Sequence, residues 1–103
     1  MKTEEIHYKV GDKNMVGFVA YPDSNNSPLV LIAHAWAGKD TFVHDRAKDL
    51  AKIGYTAMAV DMYGDGKVGA DVSENEALMT PLISNRDNLK QRIQGALEIG
   101  RSL

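Results

Sequence analysis

Two apolar runs, Leu29 to His34 and Thr56 to Met62 ("TAMAVDM"), bracket a segment with a helical apolar stripe, and this pairing constrains the fold most. A run with no polar face must be covered on both sides when it forms a strand, as happens in a parallel sheet flanked by helices. Between the runs, Asp40 or Thr41 can cap a helix. In that helix Val43, Ala47, Leu50 and Ala51 share one face, while His44, Asp45, Lys48, Asp49 and Lys52 face water. Gly54 ends it, free to take positive φ. Strand, helix, strand in that order predicts a βαβ unit with a right-handed crossover.

Upstream, residues 4–10 and 15–21 alternate apolar with polar (Ile6, Tyr8, Val10, then Val16, Phe18, Ala20) around the turn composition Gly11 to Asn14, which predicts a hairpin. "PDSNNSP" at 22–28 reads as a surface loop. Downstream of Met62 comes a long polar stretch, "YGDGKVGADVSENEA", then a short apolar piece from Ala77 to Ile83 broken by Pro81. A final helix follows, with Leu89, Ile93, Ala96 and Leu97 on one stripe; Gly95 costs it about 1 kcal/mol against alanine. The expected architecture is α/β in three layers: an N-terminal hairpin, a βαβ parallel unit and a further helix. At 103 residues the chain is expected to form one domain, 1–103.

Composition removes several function classes. A net charge of −2 without a Lys/Arg cluster argues against a nucleic-acid partner. With no cysteine, neither a disulfide framework nor a thiol nucleophile nor a thiolate metal site is available. The N-terminus "MKTEEIHYKV" is charged where a signal peptide would be apolar, and no apolar run approaches the ~20 residues of a membrane span. A cytoplasmic location without membrane association is the default expectation, and no metal or other cofactor is expected.

Three motifs resemble ligand sites. Gly64 to Gly69 has the spacing G-x-G-x-x-G after a strand, but "ADVSEN" behind it has no apolar stripe, so a surface loop is expected rather than a nucleotide-binding turn. Gly38-Lys39 lacks the other residues of a phosphate loop, with Ala33 and Asp40 at the key places. Asp40 and His44, at i and i+4, lack a third ligand and read as a helix cap and a surface histidine. His34 is more informative. It ends a buried strand at the carboxyl edge of the sheet, where open α/β folds place ligands, and is read either as an acid–base group or as a histidine fixed by backbone hydrogen bonds that shapes the next loop.

The segments "VGDKNMVGFVAYP", "LVLIAHAWAG", "AKDLAKIGYTAMAVDMYG" and the helix from Arg86 to Leu103 together resemble the first half of the dienelactone hydrolase family, within the α/β-hydrolase fold. The resemblance implies an ester or lactone hydrolase working through an acyl intermediate on a small-molecule substrate. It also implies that the backbone N–H of Trp36 is one oxyanion-hole donor, that Ala35, Ala37 and Gly38 let substrate approach the backbone, and that His34, Tyr63 and the indole line the pocket. Two departures stand out. Ala35 occupies a place where many members carry glutamate, and no arginine lies between Arg46 and Arg86 to grip an anionic lactone.

No glycine of the nine has another four positions on, so the elbow G-x-Ser/Cys-x-G is missing, and no Ser-His-Asp set has sequence support. By resemblance these residues belong to later segments, so the chain reads as an amino-terminal part with an incomplete sheet. Leu29 to His34 then becomes an open edge able to pair with another chain. The competing expectation is a non-catalytic α/β binding or assembly module that dimerises through that edge.

Overall fold

The computed structural model describes residues 1–23, 27–34 and 36–103. The centre of the loop expected at 22–28 lies outside them. The elements run β1 (Lys2–Val10), β2 (Lys13–Tyr21), β3 (Leu29–Ile32), α1 (Thr41–Lys52), β4 (Thr56–Ala59), α2 (Val72–Ile83) and α3 (Arg86–Arg101). The sheet order is β1-β2-β4-β3, with β1·β2 and β2·β4 antiparallel and β3·β4 parallel. The hairpin closes through Gly11 and Asp12 alone, a tighter turn than the four-residue loop expected.

β2 is the element that ties hairpin to parallel pair. Met15 and Val19 point into one core with Tyr8, Met58 and Ala96, while Phe18 and Ala20 point into a second with Val43, Ala47 and Ala57. Gly17, between them, is also buried, so β2 is covered on both faces. α1 lies over one face of the sheet and α3 over the other, giving the three layers.

α1 begins as expected: the Asp40 side chain accepts from the Val43 N–H at 3.3 Å. Its face Val43, Ala47 and Ala51 is buried; closing over Val43 contributes about 1.5–3 kcal/mol. His44, however, is half-buried and not a solvent-facing residue, because its ring stacks on Phe18 of β2 at 4.2 Å between centroids.

Two expectations downstream need correction. The polar stretch contains α2, whose start is fixed by Asp71 accepting from the Glu74 N–H at 2.9 Å while Glu74 accepts from the Ala70 N–H at 2.7 Å. Pro81 sits in its last turn, where the lost N–H removes a single helical bond. In α3 the sheet-facing side is Ala96 and Gly100, and Ile93 is 37% exposed, so the expected stripe is rotated. The reason is close approach. A Cβ on Gly100 would lie 2.7 Å from Leu29 Cδ2 and one on Gly95 would lie 2.6 Å from Val10 Cγ2.

β3 is shorter than the expected strand, ending at Ile32, and all four of its residues are only half-buried. It is the sheet's edge on the side away from β1. Thr56 N–H donates to Pro28 O and Val60 N–H to Ile32 O, both at 2.9 Å. By parallel-ladder alternation, Leu29 and Leu31 turn their backbone groups to the open side. None of the helices among the described residues is long and apolar enough to cross a membrane.

Candidate active site

The carboxyl ends of β3 and β4 carry two loops, described at 33–34 and 36–40 and at 60–71, that brace each other. Asp61 organises the second. It lies two residues past the end of β4, is fully buried, and accepts four backbone N–H groups: Tyr63 (3.2 Å) and Gly64 (2.9 Å) at Oδ1, Val16 (2.9 Å) and Gly66 (2.7 Å) at Oδ2. The β2·β4 register pairs Phe18 with Ala59. Continuing it two residues sets Asp61 opposite Val16, so the carboxylate takes over the ladder where β4 stops. Four N–H dipoles replace the water that a buried carboxylate gives up.

This accounts for the glycine run. A helix does follow Gly69, contrary to expectation, but α2 starts only at Val72, and the Gly64 and Gly66 N–H groups are already bound to Asp61. The turn therefore offers none of the free amides a pyrophosphate needs.

The first loop is held at several points. His34 Nε2 accepts the Met62 N–H at 3.0 Å, which fixes the proton of the neutral ring on Nδ1, and the ring lies 4.7 Å from that of Tyr63. Tyr63 Oη donates to Trp36 O at 2.7 Å, and burial raises the Tyr63 pKa, so the phenol stays a donor at neutral pH. The Gly69 N–H donates to Ala37 O at 2.8 Å, and Gly38 forms a β-bridge with Val68. Gly38 has φ +104°, and a Cβ there would meet Lys67 O at 2.6 Å, so only glycine fits. Lys39, 5% exposed, lies 3.1 Å from His44 Nε2. An ammonium only donates, so this imidazole nitrogen accepts and the ring is neutral.

Asp40 and His44 thus serve as helix cap and lysine acceptor, and no group of three His, Asp or Glu able to hold a metal occurs among the described residues. Burial first, then the Lys39 charge, lower the His44 pKa from 6.5.

Beside the first loop lies an apolar cavity of about 420 Å³. Ala33, His34, Trp36, Met62 and Tyr63 line it from the sheet ends. α2 contributes Leu82 and Ile83, and α3 contributes Leu89 and Ile93. Among the described residues no group accepts the Trp36 N–H. Of the residues expected at the site, His34, Trp36 and Tyr63 meet at this cavity, Ala37 and Gly38 lie in the adjoining loop, and Ala35 lies outside the described residues.

Sequence reasoning missed Asp61, Lys39 and the α2 wall. The signals were present: a charge inside "TAMAVDM" followed by a glycine turn, and Asp71 three residues before Glu74, a capping-box spacing.

No curated protein matches the chain. Among solved structures it is similar to m3DLH, with 27% identity and a TM-score of 0.91 over 99% of this chain and 43% of that one. It is also similar to a dienelactone hydrolase-like promiscuous phosphotriesterase from metagenomic libraries, with 24% identity and a TM-score of 0.91 over 97% of this chain and 42% of that one. The chain thus spans less than half the length of either. The family model for the dienelactone hydrolase family matches residues 15–102, from the second strand of the hairpin through the last helix, and the chain belongs to that family.

Proposed function

We propose that these residues form the amino-terminal part of a hydrolase of carboxylic esters or lactones, acting through an acyl intermediate, with the nucleophile, acid and histidine supplied by residues outside the 103. In this reading the Trp36 N–H is one of the donors that hold the carbonyl oxygen as it gains negative charge. The second is the amide after the nucleophile, as in other elbows of this fold. The observation that carries the reading is Trp36 itself: it stands just past the carboxyl end of β3, lines the cavity, and its N–H has no acceptor among the described residues.

Losing one such donor lowers kcat by about 10²–10³. In a protein long enough to include the elbow, W36P should therefore lose about that factor in ester turnover, while W36F, which keeps the amide, should stay within about tenfold of wild type. Equal losses in the two variants would place the effect in the indole and remove the oxyanion role. The 103-residue chain alone is expected to be inactive.

A second reading, a non-catalytic assembly module, is favoured by the open edge of β3. Self-association through Leu29 to His34 would raise the sedimentation coefficient with concentration, and V30K, at a half-buried β3 position outside both core clusters, would abolish the rise.

A further inference from the structure

The cavity beside Trp36 has an unusual polar inventory for a site where the family resemblance implies an anionic lactone. Among the described residues no Lys, Arg, Asp or Glu lines it. Its two ionisable side chains are engaged: His34 Nε2 with the Met62 N–H, and Tyr63 Oη with Trp36 O. Arg92 on α3 donates its guanidinium to Met62 O and is not among the residues that line the cavity. A carboxylate placed here would have to shed water without a cationic partner.

Resting on the hydrolase reading above, we propose that this cavity takes an uncharged, apolar arm of the substrate, a ring or short branched alkyl group, so that the substrate is a neutral ester rather than an anionic lactone. Leu82, which is buried, and Leu89 and Ile93 grip the arm from the helices, and Met62 supplies an unbranched, adaptable floor. A volume of about 420 Å³ suits such a group, since ligand pockets span about 300–1,000 Å³. The opposite end of the arm, the carbonyl, then faces the loop that carries Trp36.

Trp36 is the sole tryptophan of the chain and lines the cavity, so its emission reads occupancy without turnover. The 103-residue chain is titrated at pH 8 with methyl cyclohexanecarboxylate and, separately, with cyclohexanecarboxylate, with methyl resonances of Leu82, Leu89 and Ile93 as a second readout. The ester should perturb both signals at a concentration at least tenfold below the carboxylate. I93R, and independently I83R at another exposed position on the wall, should reverse that preference, with far-UV circular dichroism confirming that each variant folds.

Equal or tighter binding of the carboxylate by the wild type overturns the proposal, as does absence of any response to the ester up to its solubility. Loss of the ester response in a chain of the relatives' length also overturns it, because the cavity would then be closed by protein. Ester binding with no turnover in the longer protein would instead defeat the hydrolase reading and leave the apolar specificity standing.

Discussion

Replacing Asp61 by asparagine removes one charge and almost no volume, and it tests whether a single buried carboxylate holds the second site loop. Asparagine keeps one acceptor oxygen and gains a two-hydrogen donor. Whichever way the amide is turned, two of the four N–H groups at Val16, Tyr63, Gly64 and Gly66 face another donor. A hydrogen bond to a charged group contributes about 1.5–3 kcal/mol, so D61N should lose about 3–6 kcal/mol. That is a large share of the stability of a domain holding about 5–15 kcal/mol. With a urea slope of about 1–2 kcal/mol/M, the midpoint should fall by at least about 1.5 M. D65N is the matched control. Asp65 is exposed, its contact with Lys13 is 3.5 Å long, and asparagine tolerates its φ of 54°, so the change should stay below about 1 kcal/mol. A D61N stability within about 1 kcal/mol of wild type would refute the claim that charge-assisted bonds, rather than packing, fix this loop.

G38A forces a side chain into positive φ and against Lys67 O, and should cost about 1–3 kcal/mol or more, seen as a lower urea midpoint together with a shift in Trp36 emission. H44Q keeps an acceptor for Lys39 and removes a titrating group. Because the folded-state pKa of His44 lies below 6.5, the unfolded chain takes up the proton more readily, so the native contribution present above pH 6.5 is lost as pH falls below it. Lys39 and Lys48 act in the direction of that lowering, while Glu5 and Asp40 oppose it. The wild type should therefore lose more stability than H44Q between about pH 7 and 5, and parallel curves would remove His44 from the account.

The parts of the fold legible in the sequence were those set by local pattern. Alternation about Gly11 marked the hairpin, the unbroken apolar runs marked β3 and β4, and Asp40 before a 3.6-residue stripe marked α1. α2 was invisible to periodicity because only Leu82 of its residues is buried; a helix lying mostly in water has no stripe to read. The rotation of α3 depends on Gly95 and Gly100 meeting Val10 and Leu29, contacts between residues at opposite ends of the chain. Gly95 thus looked like a helix defect when taken alone and is a point of close packing in the fold. At the site, the cluster of His34, Trp36 and Tyr63 could be placed by position at the strand ends. The Lys39–His44 pair could not, since it requires Phe18 of β2 to capture the imidazole first.

The braces of the Trp36 loop lie within these residues: Met62 to His34, Tyr63 to Trp36, Gly69 to Ala37, Val68 to Gly38 and His44 to Lys39. Electrostatic stabilisation of an oxyanion depends on donors that are oriented before charge develops, so that no reorganisation is left for the reaction itself. In the proposed hydrolase these braces would meet that requirement without help from a nucleophile strand. β3, by contrast, has backbone groups open on one side and half-buried side chains throughout. A strand added there gains ladder bonds and apolar cover together, and its carboxyl end would arrive beside Trp36. In the proposed hydrolase the braced loop would set where the reacting carbon sits, and the open edge the direction from which the attacking group reaches it.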